Sequence, residues 1–545
     1  MKIFNELMSV MVYITRVYLV LILTAVPFFS IGVAGENISP SFTSSLEKLT
    51  ASKIKDRVKA IDQLVEAQDE RLVSVIQSLL ENKLYYRKSD KVIAYVSSDN
   101  GKKYATSVLN SEKLGEVSSR KWKKIIINNA IRTKLRNALS MIQLNNPSHE
   151  IRINAINQTL SQIDVEQIPA LESRLVIEKD ADVKALLSTT LATLKLKSGK
   201  GDRIALISQL KTSVHPSVRQ VLANVVANEK DPKIQRLAKD TLNHIEDKVS
   251  TYDKVEIIFF GLSLGSVLVL AAIGLAITFG VMGVINMAHG ELIMLGAYTT
   301  YVVQQLFPNW IDYSVLIAIP LAFIVSGLVG ILIERGIIRH LYGRPLETLL
   351  ATFGVSLILQ QVVRSLFGPL NMAVETPAWM SGVWQVNDAL ALTWNRLYII
   401  LFCLIIFAVL FMIINKTRLG LQVRAVSQNR AMARSMGIKA NWVDAMTFGL
   451  GSGIAGVAGV ALSQLTNVGP NLGQAYIIDS FMVVVFGGVG NLWGTLIAGL
   501  GLGVTNKLLE PWSGAVLAKI IVLIVIILFI QKRPKGLFPQ KGRSV

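Results

Sequence analysis

Three polar residues that could do chemistry lie inside an apolar stretch of the chain, GVINMAHGELIMLGAY. They are Asn286, His289 and Glu291, with Gly290 between the last two. An ionisable side chain is costly in a membrane and usually has a functional reason there. The order His-Gly-Glu does not match the His-Glu-x-x-His of a zinc protease helix, so metal-dependent hydrolysis has little support. We therefore predict no catalytic or metal site; these residues either cap a broken helix or line a substrate path.

A second apolar stretch, from about 476 to 508, is interrupted by glycines: YIIDSFMVVVFGGVGNLWGTLIAGLGLGV. It is too long for one membrane crossing and too short for two crossings of the usual length of about 20 residues. Two short or broken helices that turn near Asn491 explain the pattern, since irregular backbone at membrane depth must be covered by protein or water. Its candidate residues either have a structural role or line the substrate path, as for the first group. They are Asp479, Gly487, Gly488, Gly490 and Asn491.

A basic loop without any acidic residue runs from 416 to 441, KTRLGLQVRAVSQNRAMARSMGIKAN. One short amphipathic helix near Arg424 to Gly437, with Gly437 as its C-cap, fits the spacing of its apolar residues, Val423, Val426, Met432 and Met436. The loop either rests on anionic lipid or docks into a groove on another protein. Docking is favoured by its small residues, Ala425, Ala431, Ala433 and Gly437.

The composition indicates a membrane protein with a polar region. The chain has 545 residues, 51% hydrophobic and 17% charged, with a formal net charge of +19. Its mean hydropathy of +0.47 is too high for a soluble enzyme of this size. The single cysteine, Cys403, excludes an intrachain disulfide and a cysteine metal cluster. No G-x-x-x-x-G-K-[ST] loop occurs, so energy from ATP would have to arrive through a partner.

Three regions follow from the distribution of polar residues. Residues 1–34 resemble a signal peptide or, alternatively, an uncleaved anchor. Residues 35–252 predict an exported helical domain similar to HEAT-type repeats, with units that begin near Asn146, Asp180, His215 and Asp231. The turn signal Asp99-Asn100-Gly101 predicts a small β-hairpin insert in it. Its basic residues are mixed with acidic ones, which indicates a solvated face and no nucleic-acid partner.

Residues 253–545 predict an all-α polytopic membrane domain. We place helices at about 255–277, 280–306, 314–334, 348–367, 394–415, 442–466 and 514–531. With two short helices in 476–508 there are about nine crossings; a re-entrant hairpin there would leave seven. Glycines that let helices approach closely are Gly449, Gly451, Gly453, Gly456 and Gly459. We expect no paired buried charges in this domain.

The loop charges predict the orientation, because cytoplasmic loops carry an excess of Lys and Arg. Basic residues cluster in the loop near 335–344, in the loop 416–441 and in the tail from 532, whereas the loops 307–313 and 368–393 have none. The C-terminal tail is therefore expected in the cytoplasm and the N-terminal domain in the periplasm.

These motifs together resemble one transporter family. INMAHGE, GLQVRAVSQNRAMARSMGI and VVVFGGVGNLWGTLIAG occur in this order in permease subunits of branched-chain-amino-acid-type ABC importers, and the likeness spans about 255–540. The segments LSQLTNVGPNLGQAYIIDSFMVVVFGGVGNLWGT, LEPWSGAVLAKI and FIQKRPKGLF are similar to the urea permease branch, and larger urea permeases also carry an N-terminal extension.

The resemblance implies a multi-pass protein of the bacterial inner membrane that conducts urea, is not itself an enzyme and needs no cofactor. It further implies a second permease subunit of related fold, two cytoplasmic ATPase subunits and a periplasmic binding protein as partners, besides membrane lipid. The basic loop then becomes the ATPase coupling loop, with candidate residues Gly420, Arg424, Ala425, Asn429, Arg430, Ala433 and Gly437.

Other functions stay open on the sequence. Branched-chain amino acids are the alternative substrate within the same family. An ATP-independent channel or secondary transporter should have coupling charges deep in several helices, and this chain has few. A membrane-embedded enzyme would need a convergent nucleophile or metal set, for which only His289 and Glu291 are available.

Overall fold

The computed structural model describes residues 40–538, apart from 52–53, 68, 70, 100–101, 111 and 119. The predicted signal segment 1–34 lies outside these residues. The chain divides into two compact units, Met1–Ser198 and Gly199–Val545. The domain boundary predicted near residue 252 falls inside a continuous helix of the second unit.

The first unit combines helices with one antiparallel sheet. Its helices are α1 Pro40–Lys48, α2 Ile54–Glu66, α3 Leu72–Leu80, α4 Asn129–Gln143, α5 His149–Gln162, α6 Ile168–Ile177 and α7 Ala181–Ser198. Its strands are β1 Leu84–Arg87, β2 Ile93–Asp99, β3 Lys102–Ser107, β4 Lys113–Glu116 and β5 Trp122–Lys124.

This sheet is larger than the sequence predicts. Strands β2 and β3 form the predicted hairpin, with Asp99 opposite Lys102, although the turn residues 100–101 lie outside the described part of the chain. The full strand order is β4-β3-β2-β1-β5, so the expectation of a single hairpin is wrong. The added strands have only three or four residues. An alternation of polar and apolar residues is too short to recognise over such a length.

The second unit begins with polar helices and continues into the apolar region. Its elements are α8 Arg203–Leu210, α9 Pro216–Asn228, α10 Pro232–Met282, α11 His289–Leu306, α12 Ile311–Gly336, α13 Pro345–Phe367, β6 Val383–Asn387, β7 Leu390–Thr393, α14 Trp394–Lys416, α15 Arg418–Gln428, α16 Arg430–Ser435, α17 Ala440–Ser463, α18 Leu472–Gly487 and α19 Leu492–Lys532. The hairpin β6–β7, like the larger sheet, departs from an all-α fold.

The helical units predicted in the polar region do begin near the expected residues. Helices α5, α7, α9 and α10 start within three residues of the predicted positions. His215 Nδ1 accepts a hydrogen bond from the Ser217 N–H at 3.2 Å, and Asp231 accepts one from the Lys233 N–H at 2.8 Å. These bonds satisfy N–H groups that a helix start leaves without an intrahelical partner. The helix starts are confirmed; a HEAT-type stacking of the helices stays a prediction.

Helix α10 joins the polar and apolar parts of the second unit. Its 51 residues span about 77 Å at the rise of an α-helix, more than a bilayer requires. Six described helices are long and apolar enough to cross a membrane, namely α10, α12, α13, α14, α17 and α19, and α18 is apolar but shorter. Nine crossings stay a prediction.

Two helix boundaries differ from those predicted. The helix expected at 280–306 starts only at His289, because α10 ends at Gly283, whose φ of +67° is the left-handed conformation of a helix C-cap. The crossing expected at about 514–531 continues from α19 across a kink at Gly514, with φ 76° and ψ 162°. The turn expected near Asn491 is confirmed, since α18 ends at Gly487 and α19 begins at Leu492.

Glycines bring the central helices into backbone contact, as the sequence predicts. A Cβ added to Gly296 of α11 would overlap the backbone of Gly456 of α17. A Cβ added to Gly451 would lie 2.6 Å from the carbonyl oxygen of Gly274 on α10. Helix α17 is almost wholly buried between its neighbours. Small residues permit this close packing, which drives helix association in membranes in the absence of a hydrophobic force.

We expect Gly296→Ala to lower the thermal unfolding midpoint of the detergent-solubilised protein, because overpacking costs about 1–3 kcal/mol. Gly354→Ala is the matched control, since nothing lies within 4 Å of a Cβ at this helical position. The control should leave the midpoint unchanged or raise it slightly, as Ala is the better helix former. Equal midpoints for the two variants would contradict the packing described here.

Candidate functional site

The break between α10 and α11 holds the first group of predicted site residues. Asn286 accepts a hydrogen bond at its Oδ1 from the Ala288 N–H at 3.0 Å. The Met287 N–H donates to Thr352 Oγ1 on α13 at 3.1 Å. Backbone groups that the break releases are thus bonded to side chains, as a buried chain interruption requires. Asn286 therefore bonds a backbone N–H within the break, whereas the N-cap of α11 is Ala288, which has no side-chain cap bond.

His289 and Glu291 are buried beside this break. His289 Nε2 lies 2.8 Å from the carbonyl oxygen of Ala271. A carbonyl oxygen only accepts, so Nε2 carries the proton and Nδ1 presents a lone pair. Glu291 Oε1 accepts from Ser356 Oγ at 3.0 Å and from Gln360 Nε2 at 2.7 Å.

Three buried polar atoms in this segment have no hydrogen-bond partner among the described residues: Asn286 Nδ2, His289 Nδ1 and Glu291 Oε2. The first is a donor and the other two are acceptors. A buried polar atom without a partner is costly and needs an explanation. A solute with both N–H donors and a carbonyl oxygen has the matching groups.

Sequence reasoning missed the polar face of α13. Its buried polar residues recur every four positions, at Thr348, Thr352, Ser356 and Gln360. Residues four apart lie on one helix face, so this spacing was the available signal. The stripe contacts both Met287 and Glu291, whereas many apolar residues elsewhere on α13 are exposed.

Asp479 has a hydrogen-bond partner outside the network of Asn286, His289 and Glu291. Its Oδ2 accepts from Lys519 Nζ on α19 at 3.0 Å; the Asp479 side chain is 11% exposed and that of Lys519 52%. Because Lys519 is half exposed, this is not a pair of buried charges; the pair with the most deeply buried carboxylate in the described part of this domain is Arg430 with Asp444. Asp479 and Lys519 are 40 residues apart, and only the packing of α18 against α19 brings them together.

The glycine-rich turn between α18 and α19 is bonded to the C-terminal tail. The Asn491 Nδ2 donates to the Phe538 carbonyl at 3.2 Å, and Asn491 Oδ1 caps α19 by accepting from the Gly494 N–H. The Phe538 N–H donates to the Gly487 carbonyl at 3.2 Å. Gly488 and Gly490 both have positive φ. No hydrogen bond in the described part of the chain joins this turn to His289 or Glu291, so the predicted path residues do not form one bonded cluster.

The basic loop forms two helices, so the expectation of a single helix is wrong. Thr417 caps α15 through the Gly420 N–H, and Asn429 caps α16 by accepting from the Met432 N–H at 2.9 Å. An Asn side chain competes for backbone N–H groups and favours a new helix start. Gly437, with φ +85°, follows the end of α16.

The apolar residues of this loop divide between two faces. Val423, Val426 and Ala433 pack with residues of α17, whereas Met432 and Met436 are 61% and 78% exposed. Ala433 therefore faces the loop's own core, which corrects its assignment to an outer docking face. A bulky residue there would disturb the loop itself. Of the other candidates, Ala425 packs at the edge of this core.

Charged residues attach the loop to the membrane helices. Arg430 pairs with the buried Asp444 of α17 and lies over the ring of Tyr342, 4.1 Å from its centroid. Burial, and then the nearby Asp444 carboxylate, raises the pKa of Tyr342. Arg424 donates to the Ile414 carbonyl at 2.6 Å, and a Cβ on Gly420 would overlap the Ile414 backbone. These contacts attach the loop to α14 and α17.

Comparison with known proteins gives consistent matches. Residues 257–530 match a family described as the permease component of a branched-chain amino acid transport system. The chain is 32% identical to the high-affinity branched-chain amino acid transport system permease protein LivH of Salmonella typhimurium, over 51% of this chain and 93% of that protein. The corresponding protein BraD of Pseudomonas aeruginosa is 30% identical, with the same shares.

A more distant relative is named for the import of a sugar. The ribose import permease protein RbsC of Escherichia coli is 26% identical over 48% of this chain and 80% of that protein. No solved structure matches the chain.

We expect Gln360→Leu to lower the unfolding midpoint, because it removes a donor to the buried Glu291 carboxylate, a loss of about 1–3 kcal/mol. The adjacent and exposed Gln361 provides the control as Gln361→Leu. Thermal unfolding in detergent compares the two. A Gln360→Leu protein as stable as the control would show that the Glu291 network does not hold α11 to α13.

Proposed function

Since the chain belongs to the family of permease components of the branched-chain amino acid transport system, we propose that it forms the path of an ABC importer for urea. It is a multi-pass protein of the inner membrane. The observation that supports a small neutral amide is the set of unpartnered atoms beside the α11 start, one donor and two acceptors. Urea carries N–H groups for an acceptor such as Glu291 Oε2 and a carbonyl for a donor such as Asn286 Nδ2. His289 lies two positions from Glu291 and bonds to α10, so it faces another side of α11.

The surroundings of Glu291 also favour a neutral solute. Its hydrogen-bond partners, Ser356 and Gln360, are uncharged, and no cation lies within 4 Å of it among the described residues. The carboxylate of a zwitterionic amino acid would need a charged or hydrogen-bonding partner when removed from water. Hydroxyl and amide groups of the α13 stripe suffice for urea.

Branched-chain amino acids are the second candidate, favoured by the names of the relatives LivH and BraD. One residue offers the missing cation. Arg364 lies one helical turn beyond Gln360 on α13 and donates to Asn471 at 2.7 Å. An amino acid could then place its ammonium at Glu291 and its carboxylate near Arg364.

Uptake by the assembled importer distinguishes these substrates. We expect labelled urea to be taken up faster than labelled leucine under equal conditions, with Arg364→Gln leaving urea uptake nearly unchanged. Leucine uptake that excess urea does not compete with, and that Arg364→Gln reduces by tenfold or more, would assign the chain to branched-chain amino acids instead.

We further propose the arrangement of the complete importer. The partners are a second permease subunit of related fold, two cytoplasmic ATPase subunits and a periplasmic binding protein. The tail and the loop 416–441 face the cytoplasm, and the exported N-terminal domain faces the periplasm. The positions of basic residues support this orientation.

The loop 416–441 is the proposed contact for the ATPase. Its inner face packs on α17, while its outer face exposes Met432 and Met436. Exposed methionines surrounded by basic residues suit a helix that docks into a groove on another protein. The pair Arg430–Asp444 then carries displacement of the loop into α17.

We expect Met432→Glu to reduce co-purification of the ATPase and abolish uptake, because the carboxylate cannot be buried in an apolar groove without a partner. Gln428→Glu adds the same charge at another exposed site of the loop and should leave uptake near normal. If Met432→Glu protein inserts stably, retains the ATPase and transports at the normal rate, the loop is not the coupling element.

A further inference from the structure

A cavity of about 760 Å³ lies where the end of α12 meets the start of α17. Its walls carry four cationic side chains, Arg335, Arg339, Arg434 and Lys439. In the described part of the chain none of the four makes an ion pair within 4 Å; Arg434 only donates to Asn441 Oδ1 at 3.4 Å. Four cations line one cavity and none has a carboxylate within ion-pair distance, so they repel each other and an anion there would relieve the repulsion.

A buried carboxylate also lines this cavity. Glu334 is 1% exposed, and its Oε2 has no hydrogen-bond partner among the described residues. A carboxylate oxygen only accepts when ionised, so the missing partner is a donor. The ligand that completes the cavity therefore combines an anionic group with an N–H or O–H donor. A halide alone would not satisfy Glu334, because it carries no hydrogen-bond donor.

The cavity continues into the membrane surface of α12. Leu328 and Leu332 precede Arg335 on the same helix face and are 56% and 70% exposed. Helix α12 is one of the helices apolar enough to cross a membrane, so its exposed leucines offer a surface for acyl chains. Trp442, also at the cavity, is an aromatic residue of the kind that lies at the level of lipid headgroups.

We propose that this cavity binds the headgroup of a bilayer phospholipid that carries its own hydrogen-bond donor, such as phosphatidylethanolamine or phosphatidylglycerol. The phosphate lies among Arg335, Arg339 and Lys439, near the start of α17, which has no capping side chain. The ammonium or hydroxyl of the headgroup donates to Glu334. The acyl chains follow Leu332 and Leu328.

The apolar strip distinguishes a lipid from an acidic segment of a partner protein. An acidic segment of a soluble partner would use the four cations but not the exposed leucines that precede them on a membrane helix. Because the cavity lies between the end of α12 and the segment that connects α16 to α17, a bound lipid would stabilise the attachment of the basic loop.

Native mass spectrometry of the full chain tests the site, with protein released from micelles that contain phosphatidylethanolamine, phosphatidylglycerol or phosphatidylcholine. We expect one retained phosphatidylethanolamine or phosphatidylglycerol per chain, and less phosphatidylcholine, whose quaternary ammonium has no N–H. Arg339→Gln should lower occupancy about fivefold, the effect of one lost cation at a lipid surface. Glu334→Gln should abolish the preference over phosphatidylcholine.

Arg418→Gln is the matched control, because Arg418 is an exposed cation of the same basic loop that does not line the cavity. It should retain the lipid. Equal retention by Arg339→Gln and Arg418→Gln would overturn the proposal. So would binding of free phosphoethanolamine as tight as that of the lipid, which would identify a soluble ligand, or loss of the ATPase from Arg339→Gln with unchanged lipid, which would identify a protein contact.

Discussion

A helix that breaks within a membrane must find partners for the backbone groups that it releases. The chain meets this requirement at 283–288, where α10 ends and α11 begins. Asn286 bonds the Ala288 N–H, and Thr352 of α13 bonds the Met287 N–H. This break places His289 and Glu291 at the start of a buried helix. The position of α13, and with it the polar stripe, depends on these bonds.

Close helix packing makes the break possible. The glycines of α17 let α10 and α11 approach at backbone contact, so little space is left around His289. The His289 imidazole is hydrogen-bonded at only one nitrogen, and the Glu291 carboxylate at only one oxygen. Each side chain therefore keeps one buried atom without a hydrogen-bond partner among the described residues. That combination suits a path for a small polar solute, which replaces its water by a few fixed groups.

The loop 416–441 is attached to the membrane helices by several contacts. The apolar residues of the two-helix loop pack against α17. Arg430 adds contacts with both Asp444 and Tyr342. The α18–α19 turn is attached in the same manner to the C-terminal tail through Asn491. Contacts with several helices therefore hold the loop and the turn against the membrane domain.

Much of the architecture could be predicted from the sequence because it depends on local properties. Apolar runs mark the membrane helices, positive φ is available to glycine at the ends of α10 and α16, and capping residues mark helix starts such as His215 and Asp231. The family could be recognised for the same reason, since its motifs are contiguous.

Contacts between residues far apart in the chain were decided only by the tertiary structure. Lys519 reaches Asp479 across 40 positions, Gln360 reaches Glu291 across 69, and Asn491 reaches Phe538 across 47. The burial of Ala433 and the exposure of Met432, neighbours in sequence, follow from how α16 lies on α17. The short strands β1, β4 and β5 likewise form only where partners are present. A local pattern specifies which element forms, but the free energy of a contact depends on a partner that the local pattern does not contain.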